Sequence, residues 1–294
     1  MRICRFIWKN KQKYGIIVNN KIWDFMDEIN STKDHLYAMD FICFFNNNIK
    51  LIKQKINDNS MENLIDFDRE LLLAPLLYPS KIICLGLNYL DHAKETGTKL
   101  PDRPMLFTKA SSSIIGPNDQ IVIPTLKKDG KYVPIKFIDY EAELAVIVGK
   151  QMKKINVDEV NNYIFGYTIL NDVSARIEQK KDKQFFRSKS FDTFAPIGPW
   201  IVSQDEITDP MNLKIQSFVN DELRQNSNTS NMNFNVYEIL SFISEGITLY
   251  PGDIIGTGTP AGVGVGMNPP QSMKNGDIVK IKIEKIGELV NKIA

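Results

Sequence analysis

The chain has 294 residues, 43% of them apolar and 24% charged, and a formal net charge of +1. This is the composition of a soluble globular protein, long enough for a sizeable core in one large domain or two unequal ones. The near-zero charge excludes nucleic acid as the main partner, because no basic excess exists to neutralise phosphates.

At the N-terminus Arg2, Arg5 and Lys9 interrupt the apolar residues, so no secretory signal is read there. The longest apolar run, near Leu71–Tyr78, contains a proline and is far too short to span a bilayer. A cytoplasmic protein with no membrane partner is expected. Alternation in Ile3–Phe6, Tyr14–Val18 and Ile22–Phe25, with Asn19-Asn20 between the last two, predicts a hairpin with a two-residue turn. Ser31-Thr-Lys-Asp34 resembles a capping box opening a helix with Leu36, Met39, Ile42 and Cys43 on one face, and Ile49 to Ile56 continues it. His35 falls in its first turn as a solvent-facing or cap-adjacent residue. Cys4, Cys43 and Cys84 are odd in number and widely spaced among apolar neighbours, which predicts reduced structural thiols. With only two histidines, a His-rich zinc site is excluded. The segment Ala74–Ser80, with two prolines, marks the crossing from a small N-terminal domain (1–74) to a larger one (75–294).

From Lys81 onward the pattern is of short strands punctuated by Gly, Pro, Asn and Asp. Strands are predicted at Ile82–Leu85, Met105–Thr108, Ala142–Val148, Ile164–Leu170, Trp200–Val202, Leu213–Val219, Asp253–Thr257 and Ile278–Ile283. Helices are few: Tyr89–Thr96, Val157–Asn162 and Val236–Ser244. The fold class is therefore β-rich α+β, built of packed sheets without alternating βαβ units.

Several acids stand within apolar runs. Glu141 and Glu143 fall on one face of a strand with Ala145 and Ile147, while Tyr140, Ala142, Leu144 and Val146 share the other. A buried carboxylate is costly unless paired, protonated or bound to a cation. Asp172 follows Ile169-Leu170-Asn171 at a strand end. Three converging carboxylates would suit a hard divalent ion such as magnesium. The plainer alternatives are a half-exposed Glu-x-Glu strand and an Asp172 that caps the turn through Ser174–Glu178. Upstream, Asn88 and Gly97 bound a short helix in which His92 and Glu95 lie three residues apart on one face. That pair can serve as an oriented general base on a lid-like segment, or can be an exposed helix pair. Arg176, Lys189 and Lys109 are candidate cations for a negative substrate. Gly256-Thr-Gly-Thr-Pro-Ala-Gly262 lacks the βαβ context of a dinucleotide fingerprint and reads as a tight loop bringing the Thr259 hydroxyl near a small ligand.

Taken in order, Gly86-Leu-Asn-Tyr-Leu-Asp-His92, Phe107-Thr-Lys109, Asp139-Tyr-Glu-Ala-Glu-Leu144, Gly166-Tyr-Thr168, Asn171-Asp-Val-Ser-Ala-Arg176, Lys189-Ser-Phe-Asp192, Gly198-Pro-Trp200, Pro251-Gly-Asp253 and Gly256-Thr-Gly-Thr-Pro260 resemble the fumarylacetoacetate hydrolase family. The resemblance runs from about Ile82 to Asn291; residues 1–74 match only in size and strand pattern the small variable domain such proteins carry. It implies a mixed β-sandwich roll, a homodimer, and Mg²⁺ or Mn²⁺ held by Glu141, Glu143 and Asp172. It further implies that His92 and Glu95 activate water, that Lys189 acts with them, and that Arg176, Gln179, Lys189 and Thr259 hold the carboxylate and oxyanion of a small 2-oxo acid. Two positions depart from the family pattern: Ile177 replaces a polar or acidic residue, and Leu126–Phe137 is longer and more basic than usual.

The expected activity is hydrolysis of a C–C bond in an acylpyruvate-like β-diketo acid. The alternative on the same scaffold is decarboxylation, tautomerisation or isomerisation of a 2-oxo acid (oxaloacetate or a 2-hydroxy-diene-dioate), or dehydration of a 2-oxo-3-deoxy sugar acid. One site can support several of these reactions.

Overall fold

The computed structural model describes residues 1–29 and 37–294. Its backbone is a large mixed sheet flanked on both faces. In order across the sheet run Leu64–Asp66, Lys21–Trp23, Lys11–Val18, Arg2–Trp8, Ala195–Ser203, Ile164–Asn171, Ala142–Val148, Ile254–Gly256, Ile82–Gly86 and Met105–Lys109. Most neighbours are antiparallel, but Ile254–Gly256 and Ile82–Gly86 run parallel. The result is the β-rich α+β architecture expected from the sequence. The strands of the first seventy residues extend the same sheet, since Arg2 and Ile3 pair with Val202 and Ile201.

Local chemistry explains the pairing. Asn19 and Asn20 both adopt positive φ (49° and 58°), the backbone that a two-residue hairpin turn requires, and Val18 faces Lys21 across it. Ala142–Val148 is buried along its whole length because it has a partner strand on each edge and a core on each face. Ala142, Leu144 and Val146 pack toward a second, five-stranded sheet carrying Ile215, Ile281 and Leu289, together with the helix Val236–Gly246. Ala145 and Ile147 pack the other way, with Phe41, Ile42 and Phe45 of the long helix Ala38–Asn57.

Several expectations change in detail. The capping-box residues Ser31–Asp34, with His35 and Leu36, lie outside the described residues. The helix runs from Ala38 to Asn57, and its buried face is Ala38, Phe41, Ile42, Phe45 and Ile52. Met39 and Cys43, predicted on that face, are exposed, because Phe41 and Phe45 offer more apolar area to the sheet and set the rotation of the helix. All three cysteines are free, and only Cys4 and Cys84 are buried. The predicted helix at Val157–Asn162 is a single 3-10 turn, Val160–Tyr163. A helix not foreseen, Arg176–Asp182, is followed by another, Phe185–Lys189. No described helix is long and apolar enough to cross a membrane.

Candidate active site

The site forms where the central strands end. Glu141 enters the strand Ala142–Val148, Glu143 is its second residue, and Asp172 follows the neighbouring strand Ile164–Asn171. The Asp172 amide donates to the Glu141 carbonyl at 2.9 Å, which locks the two strand ends together. Glu141, Glu143 and Asp172 each present a carboxylate oxygen within 4.8 Å of the others, and all three are buried. The half-exposed strand and the capping aspartate are thus not what the fold builds.

These acids have unequal surroundings. Glu141 is flanked by Arg176 Nη1 at 2.7 Å and Lys189 Nζ at 2.8 Å. Burial opposes its charge, but Lys189 and Arg176 outweigh burial and hold its pKa well below the usual carboxylate range. Asp172 receives Lys109 Nζ and Lys189 Nζ, each at 2.5 Å. Glu143 is fully buried, and neither of its oxygens has a hydrogen-bond partner among the described residues. Burial, with Asp172 and Glu141 as like-charged neighbours, pushes its pKa well above the usual value; Lys189 and the Gly258 amide oppose this only weakly, and the amide closes no hydrogen bond. Space for its carboxylate exists because residue 256 is glycine: a Cβ there would stand 2.2 Å from Glu143 Oε2.

Orphaned buried acceptors on one carboxylate, among three convergent acids, are what a hard cation would satisfy. Four buried carboxylates, counting Asp139, face three cations, the buried Lys189 and Lys109 and the half-buried Arg176. The donor set is all oxygen, which suits Mg²⁺ or Mn²⁺ and not a thiolate-seeking metal.

A cavity of about 450 Å³ opens above this cluster, lined by His92, Glu141, Arg176, Gln179, Lys189 and Thr259 on its polar side. Leu85, Met105, Phe107, Phe185 and Val265 supply its apolar lining. His92 Nδ1 lies 3.1 Å from Glu95 Oε2, and Glu95 Oε1 accepts from the Gly262 amide at 2.9 Å, so the pair is braced against the glycine loop. The helix Leu90–Thr96 carries them and stops at Gly97, which adopts φ 63°. Asn88, expected to cap this helix, instead donates to the carbonyls of Phe234 and Thr257 at 3.0 and 2.8 Å and accepts from the Phe234 amide. Tyr89 occupies the cap position, and Asn88 is turned inward to tether the segment.

Every residue predicted for the site is therefore found around one cavity or directly beneath it. All four predicted substrate contacts already have partners within the protein. Lys189 donates to Glu141, Asp172 and the Ser174 hydroxyl, which uses all three of its protons, and its pKa is pushed up to about 12 as those carboxylates outweigh burial. Arg176 Nε donates to Asp139 at 2.8 Å and Nη1 faces Glu141, while its buried Nη2 has no partner among the described residues. Gln179 accepts from Arg176 at 3.3 Å, and Thr259 accepts from Gln225 Nε2 at 2.7 Å. Asp139 was passed over as part of a motif. It accepts from the amides of Tyr140, Gly264 and Val265 as well as from Arg176, and so ties the glycine loop to the guanidinium. The signal that pointed to Glu141, an acid inside an apolar run, applied to it equally.

Residues 81–294 match the family described as fumarylacetoacetate (FAA) hydrolase C-terminal, and the chain belongs to that family. Among its relatives is the mitochondrial oxaloacetate tautomerase Fahd2a of Rattus norvegicus, 45% identical over 231 residues, covering 78% of this chain and 71% of that protein. Among solved structures, a fumarylacetoacetate hydrolase from psychrophilic Exiguobacterium antarcticum is 36% identical with a TM-score of 0.79, covering 100% of this chain and 99% of that one. A maleylpyruvate hydrolase from Sphingobium sp. SYK-6, in complex with manganese(II) ion and pyruvate, is 28% identical with a TM-score of 0.81 over the same shares.

Proposed function

We propose that this chain is a divalent-metal-dependent tautomerase, interconverting the enol and keto forms of a small 2-oxo dicarboxylate of the oxaloacetate kind. The observation that carries the reading is His92, braced by Glu95 and lining the same cavity as Glu141, beside a triad whose Glu143 oxygens have no partner among the described residues. Support for the tautomerase over the C–C hydrolase expected first from the sequence comes from the 45% identity to an oxaloacetate tautomerase.

Glu141, Glu143 and Asp172 would hold the ion, and Mg²⁺ or Mn²⁺ would supply a Lewis acid that polarises the 2-oxo group. Arg176 Nη2 and Gln179 would receive the adjacent carboxylate. With Nδ1–H donated to Glu95, His92 presents Nε2 as an acceptor. In the keto-to-enol direction Nε2 would take a proton from C3 and the C2 oxygen would gain one from solvent water; in the reverse direction the C2 oxygen would return its proton to solvent as protonated Nε2 delivers one to C3. No carbon–carbon bond breaks. Lys189 and Lys109 hold the carboxylates in place, and Lys189 gives up its expected role at the substrate oxyanion.

The test is the decay of the enol absorbance of oxaloacetate with Mg²⁺ or Mn²⁺ present. Acceleration over metal and buffer alone supports the reading, and no acceleration overturns it. A second reading, hydrolysis of an acylpyruvate, is favoured by the apolar lining of Met105, Phe107 and Phe185, which would suit an acyl chain. Pyruvate released from acetylpyruvate or maleylpyruvate would establish it. A homodimer is the assembly that the family resemblance supports, and a single-chain mass by light scattering would overturn it.

A further inference from the structure

The cations of the site differ in one respect. Arg176, Lys189 and Lys109 are each bound to carboxylates of the cluster. Lys180 also lines the cavity, yet it is exposed and pairs with no carboxylate among the described residues. Its place follows from helix geometry. Arg176, Gln179 and Lys180 stand at i, i+3 and i+4 of the helix Arg176–Asp182, so they share one face. Lys180 lies about 6 Å farther along the axis than Arg176, one turn toward solvent.

Charge balance says what such a lysine could meet. With Glu143 ionised as a ligand, the four buried acids and the three cations of the cluster leave one negative charge, and a divalent ion would turn that into one positive charge. The carboxylate beside the 2-oxo group of a substrate matches it. A second, distal carboxylate then has no partner within the cluster, and would be costly to bring into a cavity with an apolar lining.

We propose that Lys180 is the specificity-determining residue that receives the distal carboxylate of a 2-oxo dicarboxylate; this rests on the reading of the cavity as the 2-oxo acid site. Lys180 contributes nothing to the ligand triad or to the His92 base. It selects dicarboxylates over monocarboxylates that share the same 2-oxo head. The helix presents it from a solvent-facing position, so its replacement leaves the fold intact.

The experiment compares binding of oxaloacetate and pyruvate, which differ only in the distal carboxylate, to the Mn²⁺-loaded protein. In Lys180→Met the Kd for oxaloacetate should rise about tenfold, as expected for losing a charge-assisted contact. The Kd for pyruvate should stay within about twofold, and Lys180→Arg should restore most of the oxaloacetate affinity. Added salt should narrow the wild-type preference, because the contact is near solvent. Equal affinities for oxaloacetate in the wild type and Lys180→Met, or a parallel loss for both ligands, would overturn the assignment. A selective loss of oxaloacetate binding in a protein that turns over no oxaloacetate would sustain Lys180 and remove the tautomerase instead.

Discussion

The rim and the floor of the site use the same residue type in opposite ways. At the rim, Glu141 sits between Arg176 and Lys189, and its charge is stabilised within the protein. On the floor, two residues along the same strand face, Glu143 has no cation in contact and no donor on either oxygen among the described residues. Burial alone does not separate them, since both are buried. The difference lies in partners, and it teaches that the rim is finished by the chain itself whereas the floor is built for something added to it.

The largest expected effect tests the floor. Glu143→Gln should lower metal-dependent turnover by about a thousandfold, the scale of several kcal/mol of lost electrostatic stabilisation. The same variant should lose the stabilisation that Mn²⁺ gives the wild type, about 2.7 kcal/mol at a hundred times Kd and read as a rise in Tm. A retained Mn²⁺ shift in thermal unfolding would mean that Glu143 is not a ligand. The rim should respond in stability. Arg176→Met takes from Asp139 its only cation among the described residues and leaves Glu141 with Lys189 alone, and should cost about 3 kcal/mol in urea unfolding without metal. A cost below 1 kcal/mol would show that the rim acids are not held by this guanidinium.

The His92 base, which lines the cavity from its own helix, separates chemistry from binding. His92→Ala should lower turnover by about a hundredfold while keeping the Mn²⁺-induced rise in Tm. Loss of both together would place His92 among the metal's supports. The smallest effect is expected at the tether beneath the helix that carries His92. Asn88→Ala removes three hydrogen bonds and should cost about 2 kcal/mol, with faster amide exchange confined to Leu90–Thr96.

Much of this was legible along the chain. Ala142–Val148 and Ile278–Ile283 occur with their predicted bounds, because apolar, β-branched runs between turn residues leave little choice of structure. The helix Arg176–Asp182 was not legible. Its sequence, Arg-Ile-Glu-Gln-Lys-Lys-Asp, has no apolar face, and its one large apolar residue, Ile177, is exposed. Ile177 therefore leaves the turn undisturbed despite departing from the family pattern. What anchors this helix is Arg176, gripped by Asp139 and Glu141 from more than thirty residues away. The long basic segment Leu126–Phe137 likewise forms a hairpin, Thr125–Lys128 with Lys131–Pro134, where only a longer rim loop was expected.

By itself the sequence determined which residues could do chemistry. Acids inside apolar strands, a histidine and glutamate three apart, and a glycine-rich loop are local patterns, and local sterics and the cost of burying charge make them readable. Which acid is satisfied and which is left open was decided by tertiary structure alone. Glu141 and Glu143 have the same side chain and the same strand face. Only the packing of two short helices and a neighbouring strand end brings Arg176, Lys189 and Lys109 to the rim acids and leaves Glu143 alone beside Gly256. Electrostatic interactions depend on distance through space and on local exclusion of water, and neither is written in the spacing of residues along the chain.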